Sequence, residues 1–236
     1  MTYCISDIHG DLEKFEKILD AIRFSEDDVL YIIGDAIDRG PHGVDVLRKI
    51  MNTENMVMIL GNHERMLLDT LDMKYVTGAK RLWMLNGGEP TMQELVNFCA
   101  ASERHEIMKF LRNLPDHMDI EVNGQAFHLV HGFPSKDNLK TTLKTRLWGR
   151  PRYVGQDVYE EKTVIVGHTP TCYLTNDYCE PFRIVCGNRL IGIDCGCGSG
   201  HRNSSLACLR LENFEEFYVR EECSDYDCAA DYDSNW

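Results

Sequence analysis

Five short segments of this chain set a glycine beside aspartate, asparagine or histidine. They are Ser6–Asp7–Ile8–His9–Gly10–Asp11, Gly34–Asp35–Ala36–Ile37–Asp38–Arg39–Gly40, Gly61–Asn62–His63–Glu64, His131–Gly132 and Gly167–His168. Carboxylate and amide oxygens mixed with imidazole nitrogens suit borderline divalent cations such as manganese, iron or zinc. No thiolate accompanies them, which argues against a structural zinc site. A carboxylate such as Asp35 can give one oxygen to each of two ions. Paired ions clamp the attacking and leaving oxygens of a phosphoryl transfer and acidify the water beside them. The glycines let the backbone turn sharply and let ion and phosphate come close. The chemistry within reach is metal-assisted hydrolysis of a phosphate ester.

Regular elements must deliver these segments to one place. Residues 2–6, 29–33 and 56–60 are short apolar runs that read as buried strands. Between them, residues 11–23 carry an apolar stripe of Leu12, Phe15, Ile18, Leu19 and Ile22, and residues 43–52 carry Val44, Val46, Leu47 and Ile50. This β-α-β-α-β order predicts a parallel sheet with helices packed outside. The motifs follow the carboxyl ends of its strands, where open sheets bind ligands. Extended backbone there would put Asp7 and His9, at i and i+2, on one face. Residues 62–114 read as helical, broken near Asn86–Gly87–Gly88 and again around Pro90. Strands are then expected at 117–122 and 125–131, joined by an Asn123–Gly124 turn, and at 163–167, 183–186, 189–193, 206–211 and 216–219. The fold class is α/β (α+β), in one domain over 1–220. Residues 221–236 contain Glu221, Glu222, Asp225, Asp227, Asp231 and Asp233 without a base, which predicts a flexible acidic tail.

A net charge of −13 argues against nucleic acid or an anionic membrane as partner. The longest apolar runs are strand-sized, and Met1–Thr2–Tyr3–Cys4 has no signal-peptide character, so the expected setting is the cytoplasm. The ten cysteines read as free thiols there. Against the acidic whole, residues 136–152 hold Lys136, Lys140, Lys144, Arg146, Arg150 and Arg152 with one acid, Asp137. That stretch reads either as a solvated helix face or as a rim facing an anionic substrate.

The motif set resembles the metal-dependent phosphoprotein phosphatase family of the calcineurin-like metallophosphoesterases. Its signature runs Asp-x-His-Gly, Gly-Asp-x-x-Asp-Arg-Gly and Gly-Asn-His-Glu, then two separated histidines, in that order. Leu85–Asn86–Gly87–Gly88 and Leu147–Trp148–Gly149–Arg150 are similar to the small bacterial branch that includes the phage lambda protein phosphatase. The resemblance implies a sandwich of two mixed β-sheets flanked by helices, with the metal site at the strand C-terminal ends. It implies that Asp7, His9 and Asp35 hold one ion and that Asp35, Asn62, His131 and His168 hold a second. Manganese is expected first, with iron and zinc as alternatives. His63, backed by Asp38, would protonate the leaving oxygen, since a neighbouring carboxylate favours a protonated imidazole. Arg39 and Arg150 would grip phosphate oxygens, with Arg146 or Arg152 as alternatives to Arg150.

The implied substrate is a protein or peptide carrying phosphoserine or phosphothreonine. The alternative is a dinucleoside polyphosphate, as cut by diadenosine tetraphosphatases. Those relatives usually lack the Asp38 counterpart and follow Gly-Asn-His with aspartate, so Asp38 and Glu64 favour the protein substrate. A catalytically inactive phosphoprotein-binding scaffold is a remote third reading. Taken singly, Asp7 and Asn62 could each be a helix cap. His128 reads as a sheet-face residue, and His42, His105, His117 and His201 as bystanders. Asp194–Cys195–Gly196–Cys197 departs from the family pattern, and its thiols would make the protein sensitive to oxidation.

Overall fold

The computed structural model describes residues 1–72, 78–134, 141–153, 159 and 161–220. In β1 (Thr2–Ile5), Tyr3 and Ile5 enter one apolar cluster and Cys4 another. The same alternation runs through β2 (Val29–Ile33), β3 (Met56–Ile59) and β9 (Ser205–Arg210). Leu30, Ile32, Met56, Met58, Leu206 and Cys208 share the first cluster; Ile33, Ile59, Ala207 and Leu209 share the second. A period of two with apolar residues on both faces means a sheet covered on both sides.

On one face lie the helices. The stripes of α1 (Leu12–Ile22) and α2 (Gly43–Met51) bury Phe15, Ile18, Val46 and Leu47 in the first cluster. On the other face lies a second sheet, which contributes Phe127, Leu129, Ile165 and Ile191 to the shared core. The first sheet has the order β10-β9-β1-β2-β3, with β10 at Glu216–Arg220. Its strands β1, β2 and β3 are parallel, in the register Ile5 to Ile32 and Ile33 to Ile59. The second has the order β4-β5-β6-β8-β7, from β4 (His117–Val122), β5 (Gln125–Val130), β6 (Thr163–Val166), β7 (Val185–Cys186) and β8 (Leu190–Gly192). Within it β5, β6 and β8 are parallel. The expected sandwich of two mixed sheets is therefore present.

The helical stretch is divided further than its sequence pattern suggests. It forms α3 (Asn62–Leu71), α4 (Ala79–Leu85), α5 (Glu89–Asn97) and α6 (Ala101–Asn113). Pro90 does not break a helix but stands at the start of α5, where its missing N–H costs nothing. Two short helices, α7 (Leu143–Trp148) and α8 (Thr171–Thr175), flank the second sheet's carboxyl edge. Among the described residues no helix is long and apolar enough to cross a membrane. Lys136, Asp137 and Lys140, which begin the basic stretch, and the acidic tail at residues 221–236 lie outside the described residues.

Candidate active site and metal centre

Past the ends of β1 and β2 the chain keeps pairing as it turns. Asp7 N–H donates to Gly34 O at 3.2 Å, His9 N–H to Asp35 O at 3.0 Å and Gly10 N–H to Ala36 O at 2.9 Å. The backbone is not extended here: φ is +51° at both Asp7 and His9, +54° at Asp35, +73° at Asp38 and +66° at Arg39. Left-handed turns, not a strand face, bring Asp7 and His9 together. Such conformations cost about 1–3 kcal/mol each in a non-glycine residue and persist where surrounding bonds over-determine them.

Glu64 supplies much of that restraint. Its fully buried carboxylate accepts N–H bonds from Asp35 and Ala36, both at 2.9 Å, and from Gly61 at 3.0 Å. A Cβ on Gly61 would collide with the Asp35 carboxylate and backbone N, so glycine is required there. Burial, then repulsion from Asp35, raises the Glu64 carboxyl to about 7. Glu64 thus shapes the Asp35 loop from beneath, and its value as a substrate marker falls accordingly.

The donor atoms converge on Asp35. His131 Nδ1 donates to Ile33 O at 2.8 Å and His9 Nδ1 to Ile37 O at 3.2 Å. A carbonyl only accepts, so Nδ1 carries hydrogen in both rings and Nε2 faces inward. His9 Nε2 lies 3.8 Å from Asp7 Oδ1 and 4.0 Å from Asp35 Oδ2. His131 Nε2 lies 2.7 Å from Asn62 Oδ1 and 3.1 Å from Asp35 Oδ2. Ligand atoms of Asp35, His131 and His168 fall within 4.8 Å of one another, as do those of His9, Asp35 and His63. His168 also donates its backbone N–H to Asp7 Oδ2 at 3.1 Å.

Neither capping alternative holds. Asp11, not Asp7, caps α1, with Oδ1 accepting Lys14 N–H at 2.9 Å. Gly61 precedes α3, and Asn62 turns its amide oxygen to His131.

The electrostatics of this set fit a cation. Burial, then Asp194, raises the Asp7 carboxyl well above its usual range, and burial raises Asp194 too. Asp35 goes the other way, because His131 and His63 outweigh its burial. Burial lowers His131, yet Asp35 outweighs it and holds that ring at about 10. A proton on His131 Nε2 would lie between Asp35 Oδ2 and Asn62 Oδ1. Burial, then His131 and Arg150, drives His168 down to about 2, so it presents a lone pair.

His63 is placed differently from these. Its Nδ1 lies 2.7 Å from Asp38 Oδ2, while its Nε2 stands 3.8 Å from Asp35 Oδ2. Trp83 Nε1–H donates to the same Asp38 oxygen at 2.7 Å.

The calcineurin-like phosphoesterase model matches residues 2–191 of this sequence. The chain belongs to that family. It is 27% identical over 184 residues to serine/threonine-protein phosphatase 2 of Salmonella typhimurium, an alignment covering 73% of this chain and 81% of that protein. It is 34% identical over 131 residues to the symmetrical bis(5'-nucleosyl)-tetraphosphatase of Acidovorax ebreus, covering 55% of this chain and 42% of that one. This chain therefore spans less than half the length of the tetraphosphatase. A solved metallophosphoesterase from Sphaerobacter thermophilus superposes with a TM-score of 0.59 at 18% identity, covering 94% of this chain and 88% of that one. That likeness concerns the fold.

In this phosphoesterase the cluster opens into a cavity of about 510 Å³ lined by Arg39, Arg150, Trp148, Tyr173, Tyr178 and His201, among others. Among the described residues of the basic stretch, Arg150 is the one that reaches it. Arg146 Nε is engaged by Asp116 Oδ2 at 3.0 Å, and Arg152 and Lys144 lie outside the lining.

Three site residues were not singled out from sequence. Asp194 follows β8 as the motif acids follow β1 and β2, and that position was the available signal. His201, read as a bystander, stacks on Phe182 at 4.8 Å and lines the cavity wall. Trp83 carried no signal beyond its place before Leu85–Asn86–Gly87–Gly88. The predicted oxidation sensitivity has no basis in the structure. Cys195 and Cys197 are each 2% exposed, and burial, then Asp194, pushes the Cys195 thiol far up. His128 sits on the sheet face as read, with Nδ1 at 2.7 Å from Asp119.

Proposed function

We propose that this phosphoesterase is a serine/threonine protein phosphatase that hydrolyses phosphomonoesters with a pair of divalent ions. The observation that carries this reading is the His63–Asp38 contact of 2.7 Å. A serine or threonine alkoxide is a poor leaving group and needs a proton as the P–O bond breaks. A phosphate leaving group, with its second pKa of about 6, needs none. An acid pair built this tightly is worth more to a monoesterase than to an anhydride hydrolase.

Asp7, His9 and Asp35 would hold one ion, and Asp35, Asn62, His131 and His168 the other. The mixture of hard oxygens and imidazoles favours manganese, with iron and zinc as alternatives. When bound, the ions neutralise phosphoryl charge and acidify the attacking water. Asp38 occupies His63 Nδ1, which leaves Nε2 as the nitrogen that would face the leaving oxygen. Arg39 and Arg150 orient the phosphate through guanidinium hydrogen bonds. The cysteines among the described residues are all free thiols, which supports a reducing, cytoplasmic setting.

A second reading, a dinucleoside polyphosphate hydrolase, is favoured by Tyr173 and Tyr178. Their rings stand 5.7 Å apart at 86° in the cavity wall, a corner on which a nucleobase could stack. Turnover of a phosphoserine peptide against diadenosine tetraphosphate, under one manganese concentration, separates the two. A peptide rate far below the dinucleotide rate reverses the order. The inactive-scaffold reading loses support because the donor set and His63 are intact. Manganese-refilled protein that leaves p-nitrophenyl phosphate untouched would restore it.

A further inference from the structure

We propose that residues 83–88, the end of α4 and the turn into α5, form a brace that positions both His63–Asp38 and Arg39. The inference rests on the acid and phosphate-binding roles just given, and it supplies a task for the Leu85–Asn86–Gly87–Gly88 motif.

The brace has two arms. In the first, Trp83 is 1% exposed and donates Nε1–H to Asp38 Oδ2 at 2.7 Å, the oxygen that also receives His63 Nδ1 at 2.7 Å. The other carboxylate oxygen, Asp38 Oδ1, is buried without a partner. Thr91 Oγ1 accepts the Asp38 backbone N–H at 3.0 Å, and the carboxylate takes both ring donors on one oxygen; with the indole N–H gone, His63 would be the one ring donor left to it. Gly88 seats the indole, since a Cβ there would lie 2.5 Å from its ring atoms.

In the second arm, Arg39 N–H donates to Gly87 O at 2.8 Å. Gly87 has a φ of +91°, and a Cβ on it would stand 2.9 Å from Arg39 Cγ. Asp38 and Arg39 are consecutive residues with left-handed φ, and a single short turn holds the side chain of one and the backbone of the other. Trp83 and Gly87 are positioning residues, acting through groups that touch the substrate.

The two arms predict different kinetic signatures. Trp83→Phe keeps the ring and removes the N–H. It should lower kcat on a phosphoserine peptide by roughly 10- to 100-fold, the scale of a hydrogen bond to a charged group. Turnover of p-nitrophenyl phosphate, whose leaving group needs little proton, should change far less, with KM and metal content held. In a His63→Asn background the same change should have no further effect, because residues acting through one unit are not additive. Gly87→Ala should instead raise KM and the inhibition constant of inorganic phosphate for both substrates alike. Gly88→Ala displaces the indole without emptying the core, and should reproduce the Trp83→Phe pattern if that variant fails to fold.

Equal losses on both substrates in Trp83→Phe, or a persisting loss in the His63→Asn background, would overturn the first arm. A Gly87→Ala variant with unchanged phosphate affinity would overturn the second. If His63→Asn itself shows no leaving-group dependence, the general-acid reading has failed instead, and the Gly87 arm alone decides the brace.

Discussion

At the ends of β1, β2 and β3 the polar side chains are deeply buried and closely bonded. Glu64 holds three backbone N–H groups, His9 and His131 are each pinned through Nδ1, and Asp38 takes two donors on one oxygen. The opposite wall, built from α7, α8 and the chain between Tyr178 and His201, presents aromatic rings to the same cavity. There Tyr173 and Tyr178 are 45% and 43% exposed. The first wall has the restraint that fixed chemistry requires. The second has exposed apolar surface, which is where a substrate's leaving group would be recognised. One fold can thus keep its reaction and change its substrate by altering the second wall alone.

That contrast breaks first at Asp35. Asp35→Asn removes the one carboxylate shared by both triads, and should abolish turnover together with metal binding. Full metal content in that variant, measured by elemental analysis, would deny it the bridging role. Next in size is Glu64→Ala, which strands buried N–H groups at about 1–3 kcal/mol each. A lowered Tm and loss of metal are expected, although Glu64 is not among the proposed ligands. His63→Asn should cut turnover by about 10²–10⁴ with metal content intact; lost metal would make His63 a ligand. On the aromatic wall, Tyr178→Ala should weaken diadenosine tetraphosphate by about 1–3 kcal/mol of lost stacking and leave a phosphoserine peptide nearly unaffected. Smallest of all, iodoacetamide should modify exposed Cys179 and Cys186 without loss of activity, since Cys195 and Cys197 are enclosed.

The same division governs what could be read from sequence. The convergence of Asp7, His9, Asp35, Asn62, His131 and His168 was legible because each follows a strand, all but Asp7 directly beside a glycine, and parallel strands must carry their ends to one edge. The alternation of β1 to β3 was legible from apolar runs. The left-handed turns at Asp7 and His9 were not, because only pairing with the next loop imposes them. Trp83 reaches Asp38 across 45 residues, a contact no local pattern encodes. Glu64 was noticed for a comparative reason, but its task depends on where the N–H groups of Asp35 and Ala36, in another loop, point. His201 and Tyr178 come from irregular chain, where periodicity gives no face to read.

In the proposed site Asp35 is shared by two ions that sit side by side. That sharing is tested most directly by adding manganese to metal-stripped protein while measuring bound metal and p-nitrophenyl phosphate turnover together. Activity should reach its plateau only when a pair of ions is bound per chain. A plateau at a single ion would contradict it, as would turnover in the stripped protein.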